Sequence, residues 1–300
     1  MNEAHPAQRS FLKRVLINEN ENRLRAGWRL LGHFTLLLVL CSCMLLPFAA
    51  WMNATGATEL LMLIGQFVVL LAITLSIFLA RRFLDRRSFT SLGLSWSKQA
   101  AKDLLVGIAF AGLMIGAIFA IEWTAGWLEI SAFAWSTSPI GEVLISVLEM
   151  LVLFILVGWQ EELLNRGYWL QNLAEGTNLF WGVLISSSLF ALAHLGNPNV
   201  SWNAILGLVL AGLFLAYGYL RTRQLWLSIG LHIGWNFFEG TVFGFQVSGL
   251  ENLHPLVIQT VQGPDLLTGA RFGPEAGLVV VPGLLLGTAL IYWYTAKDRK

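Results

Sequence analysis

The stretch Leu148–Leu170, "LEMLVLFILVGWQEELLNRGYWL", decides the fold. Its first ten residues are almost wholly apolar, yet Glu161, Glu162 and Arg166 come within the next nine positions. A helix-forming segment that carries charge straight after a run suited to lipid is either surfacing into water or holding that charge for a purpose. The rest of the chain bears on the choice. Apolar residues make up 56% of its 300 residues and charged residues only 12%, about half the charged share of a soluble domain. A span needs ~20 mostly apolar residues, and the chain offers eight such segments, near 28–52, 59–80, 104–128, 142–171, 179–196, 202–220, 225–247 and 277–294. The expected fold is all-α, a polytopic transmembrane helix bundle with both termini cytoplasmic. It divides into an N-terminal segment 1–27, a membrane domain 28–296 with a motif core at 158–240, and a tail 297–300.

Orientation comes from the basic residues. Arg9, Lys13, Arg14, Arg23, Arg25 and Arg29 precede or open the first segment, and Arg81, Arg82, Arg86, Arg87, Lys98 and Lys102 lie between the second and third. Arg221 and Arg223 separate the sixth and seventh, and Lys297, Arg299 and Lys300 come after the eighth. All fall on one side if eight spans are counted, and the other side keeps only Arg271, so the basic side is read as cytoplasmic. Trp28, Trp51, Trp202, Trp226 and Trp293 stand near segment ends, where indole favours the interface. Cys41 and Cys43 form a lone C-x-C inside the first segment, read as packing residues. The polar N-terminus is not a cleavable signal. The linker 248–276, rich in Gly and Pro, reads as an outer loop without a legible role.

The ionisable or amide residues inside apolar segments are Glu122, Glu149, Glu161, Glu162, Arg166, His194, His232, Asn236 and Glu239. Glu162 and Arg166, four apart, share a helix face and form a natural ion pair. Glu161 points about 100° away from Glu162 and is free for other work. His194 ends the fifth segment, with Phe190 one turn before it. His232 and Asn236 share a face of the seventh, and Glu239 lies a turn further on. With the fourth helix extended to about 171, Glu161 lies roughly 15 Å and His194 roughly 23 Å from the cytoplasmic ends of their helices, and His232 and Asn236 roughly 11 and 17 Å. A shared level within the membrane is compatible with these depths.

A carboxylate beside an imidazole can take a proton from water. A second imidazole and an amide can donate to the oxyanion made when that water attacks a peptide carbonyl. The same groups could hold a divalent metal such as zinc, with Glu161, His194 and His232 as ligands, although no H-E-x-x-H pattern is present. Ser186–Ser188 and the cysteines lack any pattern marking a nucleophile.

E-E-x-x-x-R at 161–166, F-x-x-x-H at 190–194 and H-x-x-x-N at 232–236, in this order on three helices, resemble the motifs of the CPBP family. These are the CAAX-protease and bacteriocin-processing intramembrane endopeptidases, also called Abi proteins. "RSFTSLGL" (87–94) is similar to a further family feature, while Asn165 departs from the aromatic residue often found there. The resemblance implies an intramembrane endopeptidase acting near the cytoplasmic leaflet, with Glu161 as general base and His194 positioning the water. His232 and Asn236 would stabilise the oxyanion, and Glu162 and Arg166 would orient the site. Metal-dependent and glutamate-dependent mechanisms have both been described for the family, so the cofactor stays open. Family substrates include prenylated C-terminal tails and, in bacteria, leader or immunity-related peptides. The charge bias and short loops favour a bacterial plasma-membrane member, which makes prenyl-protein processing the less expected task. The partners implied are a peptide or protein substrate and the bilayer, with no nucleic acid; the oligomeric state is not legible. Two other readings compete, a non-catalytic immunity factor or scaffold that binds peptides and a proton-coupled transporter. The paired broken spans of inverted-repeat transporters are missing.

Overall fold

The computed structural model describes residues 11–18, 21–55, 60–251 and 254–296. Arg9, Lys297, Arg299 and Lys300, and the side chain of Arg14, lie outside the described residues. Each of the eight expected segments is helical. They are α1 (Ala26–Thr55), α2 (Leu60–Leu79), α3 (Lys98–Thr124), α4 (Ile140–Gly176), α5 (Leu179–Leu192), α6 (Trp202–Thr222), α7 (Trp226–Asn236) and α8 (Val280–Ala296). By length and composition α1 to α4 and α6 can each cross a bilayer, whereas α5 and α8 are shorter apolar helices. The protein is therefore a multi-pass membrane protein built mostly of helix.

Local chemistry sets several helix starts. Ser97, Asn178 and Ser201 each turn a side-chain oxygen onto the backbone N–H three residues ahead, opening α3, α5 and α6, the usual way to satisfy an orphan donor. α4 is longer than the expected 142–171. Its α-helical part ends at Glu162, continues as a π-helical turn over Leu163–Trp169 and resumes to Gly176. α7 likewise passes into a π-helical turn at Phe237–Val242, directly after Asn236. Such widened turns concentrate at functional sites.

The two ends of the bundle differ in kind. At one end Glu175 of α4 pairs with Arg23, Arg29 and Arg87, and Asp85 pairs with Arg29 and Arg81. Basic residues from two separate stretches of chain, 23–29 and 81–87, thus meet at one place. In the same group Arg23 hydrogen-bonds Glu21 and holds that carboxyl below its usual range. At the other end the linkers after α3 and α7 pair as two antiparallel strands, β1 (Leu128–Phe133) and β2 (Val257–Val261), with a bulge between Ile130 and Ala132. This small sheet adds to the all-α expectation. Its strands are short, lie in linkers and find each other only in the folded bundle.

The closest packing in the bundle is between α3 and α7, and it depends on missing side chains. A Cβ built on Gly230 would fall 2.1 Å from the carbonyl oxygen of Leu104, and one on Gly107 would fall 2.5 Å from that of Leu227. In lipid, where apolar surface gains little by burial, such backbone proximity is a main source of helix association. The small residues at 107–116 belong to this contact. Trp28, Trp51, Trp202 and Trp293 are exposed, as interfacial anchors should be. Trp226 is a correction: it is buried, packs on Trp96 and Trp159, and donates from Nε1 to Ser95 O at 3.1 Å. Cys41 and Cys43 are both free thiols.

Gly230→Val is expected to push α7 off α3 and cost about 1–3 kcal/mol, the usual range for overpacking. Thermal unfolding of the detergent-solubilised protein measures it, with Gly27→Val as a control because a Cβ there meets nothing within 4 Å.

Candidate active site

Glu162 is the centre of the site. Its side chain is fully buried, and Oε1 accepts from Arg166 Nη1 at 2.7 Å and from His232 Nδ1 at 2.8 Å. The first contact is the i,i+4 pair expected along α4; the second ties α4 to α7. Arg166 is buried too, and its other nitrogen, Nη2, donates to Gly212 O of α6 at 3.0 Å. A buried charge in an apolar bundle survives only when paired and hydrogen-bonded, and this pair meets both conditions.

The spacing of the first motif has the predicted effect on Glu161. Turned away from Glu162, its side chain keeps 24% of its exposure, and Oε2 lies 3.9 Å from His232 Nε2. One ring of α7 therefore faces both carboxylates, hydrogen-bonded to Glu162 through Nδ1 and turned to Glu161 through Nε2. Because a carboxylate only accepts, Nδ1 of His232 carries a proton.

His194 lies in the turn after α5, not within the helix, and is half-buried. Its Nδ1 donates to Phe190 O at 2.9 Å, leaving Nε2 without a proton in the neutral ring. The Phe190 ring joins the three motifs: its centroid is 5.0 Å from that of His194 and 6.0 Å from that of His232, and Arg166 Cζ stands 4.6 Å from it. Asn236 is buried and lines a cavity with Phe190 and His232. That cavity admits the centre of a water-sized sphere over ≈ 20 Å³, enough for about one water molecule.

Other candidates separate. Glu149 is exposed on α4, and Glu122 and Glu239 are buried with neither carboxyl oxygen hydrogen-bonded among the described residues. Asn165 turns its amide back onto Glu161 O at 2.9 Å, so this departure from the family pattern braces the motif helix. For a metal the fit is poor. Among the described residues no group of three or more His, Cys, Asp or Glu side chains could hold an ion. Glu161 faces His232, and His194 meets His232 only across the Phe190 ring, so the three do not form a ligand set.

Residues 143–238 match the sequence profile of a family described as type II CAAX prenyl endopeptidase Rce1-like. This segment, about a third of the chain, is similar to that family. The match contains all three motifs and agrees with the resemblance read from them. No curated protein and no solved structure matches the chain. The matched segment spans most of α4 through α7, the part of the chain that carries Glu161, His194 and His232, and it points to a protease of the membrane.

Sequence reading missed the ionisable member of the cavity wall besides His232, Glu275, which arrives from the linker before α8. It stands in no helical period; only the run of Gly269, Gly273, Pro274 and Gly277 around it signals an ordered turn.

Arg166→Leu is expected to cost about 3–5 kcal/mol, because it leaves a buried carboxylate without its partner. Adding Glu162→Gln should recover part of that loss. Thermal denaturation of the single and double variants in detergent checks the sign of the coupling.

Proposed function

We propose that this protein is an intramembrane endopeptidase that hydrolyses peptide bonds with an activated water, reached from the cytoplasmic leaflet of a bacterial plasma membrane. The observation that carries the reading is the division of labour between adjacent glutamates. Glu162 is enclosed and committed to Arg166 and His232, while Glu161 stays partly open beside the same imidazole. A base must reach its water, and of the two only Glu161 can.

In the proposed reaction Glu161, with His194 helping to orient the water, takes one proton as the oxygen attacks the scissile carbonyl. The oxyanion that develops is stabilised by the His232 imidazolium, through Nε2–H, and by the Asn236 amide. His232 holds its other proton on Glu162, which fixes the plane of the ring. The C–N bond then breaks as Glu161 returns its proton to the departing amine, leaving one new carboxyl and one new amino terminus. Glu162 and Arg166 contribute position, not bonds. The meeting of Arg23, Arg29, Arg81 and Arg87 at one end supports a cytoplasmic assignment for that end. With the helix parity of eight spans, both termini would then be cytoplasmic. The family's description reads CAAX prenyl endopeptidase; for this chain the substrate class proposed is a membrane-associated peptide or protein tail.

Glu161→Gln keeps the shape and removes the base, so cleavage should fall about a hundredfold or more. The measurement is a comparison of newly formed peptide N-termini in membranes carrying equal amounts of wild-type and Glu161→Gln protein. Equal sets of termini, with cellular function unchanged, would favour a peptide-binding scaffold instead.

A further inference from the structure

Beyond the motif residues, the cavity beside His232 and Asn236 has one more ionisable wall, Glu275, and neither Glu161 nor Glu162 lines it. Glu275 is 5% exposed and comes from a short 3-10 turn, Pro274–Ala276, just ahead of α8. Among the described residues it has no Arg or Lys partner; its carboxylate accepts at Oε2 from Ser248 Oγ, at 2.5 Å. Its side chain shares the cavity wall with His232 and Asn236. The indole of Trp235, one turn from His232 on α7, lies near it and near Glu239.

The chain goes to some length to bring this acid inside. Gly207 of α6 has no side chain where the Glu275 backbone crosses it; a Cβ there would fall 1.7 Å from Glu275 O. Ser248 and Ala270 both adopt left-handed backbone, at φ 49° and 51°, which is uncommon for such residues and collects at functional sites. Asn197, three residues past His194, donates to Ser248 O at 2.9 Å. A continuous set of contacts thus runs from the His194 turn through Ser248 to Glu275. Burying a carboxyl without a cation is costly, and an apolar residue would fill the wall at less expense if packing were the purpose.

We propose that Glu275 is a positioning residue of the site, holding the His232 imidazole from the cavity wall that Glu161 and Glu162 do not form and bracing the His194 turn through Ser248 and Asn197. This rests on the hydrolytic reading of the motif residues. With its two nitrogens directed to Glu162 and Glu161, the His232 ring is held in that orientation from a third side by the Glu275 carboxyl. The linker 248–276 is then a working part of the site instead of a passive outer loop.

The test uses the full chain in membranes and tracks the initial rate at which Glu161-dependent peptide N-termini appear, normalised to the amount of protein. Glu275→Gln keeps shape and can still accept from Ser248, whereas Glu275→Asp keeps the carboxyl on a shorter stem. A positioning role gives the order wild type, then Asp, then Gln, with Gln slower by about tenfold to a hundredfold and its thermal stability preserved. A purely structural role gives the opposite order, Gln equal to wild type and Asp impaired, and that result overturns the proposal. Should Glu275→Gln fail to accumulate, Ser248→Ala decides: a slower rate supports the role and an unchanged rate overturns it. If Glu161-dependent termini are seen and Glu275→Gln leaves them unaltered, the hydrolytic reading stands and this one fails. If Glu161→Gln changes no terminus, both fall.

Discussion

The whole arrangement depends on one oxygen atom. Glu162 Oε1 is shared between a guanidinium on its own helix and an imidazole on another, and neither donor has water as an alternative. In a surface helix the Glu162–Arg166 pair would be worth about a few tenths of a kcal/mol. Here burial raises the stakes, because losing either partner strands a charge in apolar surroundings. That penalty fixes the rotation of α4 about its axis, and with it the direction in which Glu161 points. The register of α7 against α4 is set by the same oxygen through His232. Position in this site is therefore enforced by electrostatic cost more than by packing.

Packing supplies the complementary constraint. α7 can reach α4 only because its opposite side lies against α3 with bare backbone at Gly107 and Gly230. Gly158 on α4 plays a related part, since a Cβ there would come 2.6 Å from Ile233 Cγ1. The small residues draw the helices close enough for polar side chains of ordinary length to meet. Phe190 then fills the space among Arg166, His194 and His232, keeping their charges apart from lipid while its ring face meets the guanidinium.

Helices and motifs were readable because their signals are local. Hydropathy marks eight segments within a few residues, and four-residue spacing places Glu162 on Arg166 and His232 on the face of Asn236. The continuation of α4 past Val157 was legible from composition, although its widened turn at Leu163–Trp169 was not, since π and α turns draw on the same residues. What escaped reading was non-local. Glu275 has no partner near it in sequence, and Ser248, its neighbour in space, is separated from it by a Gly- and Pro-rich linker. The pairing of β1 with β2 joins linkers far apart along the chain. Trp226 carried the composition of an interfacial anchor yet found two aromatic neighbours, Trp96 and Trp159, that no spacing rule connects to it.

The widened turns in α4 and α7 give the protein an uneven sensitivity to length. Each holds surplus chain that a regular helix would not need, so losing a single residue from 167–169 restores ordinary winding without breaking the span. The two parts of α4 on either side then keep nearly the same phase, because the wide turn had already absorbed the extra residue. The same loss from a regular turn of α4 would rotate the two parts by about 100° relative to each other. Insertions and deletions that hydropathy would score alike are changes of pitch in these two short stretches and changes of phase elsewhere.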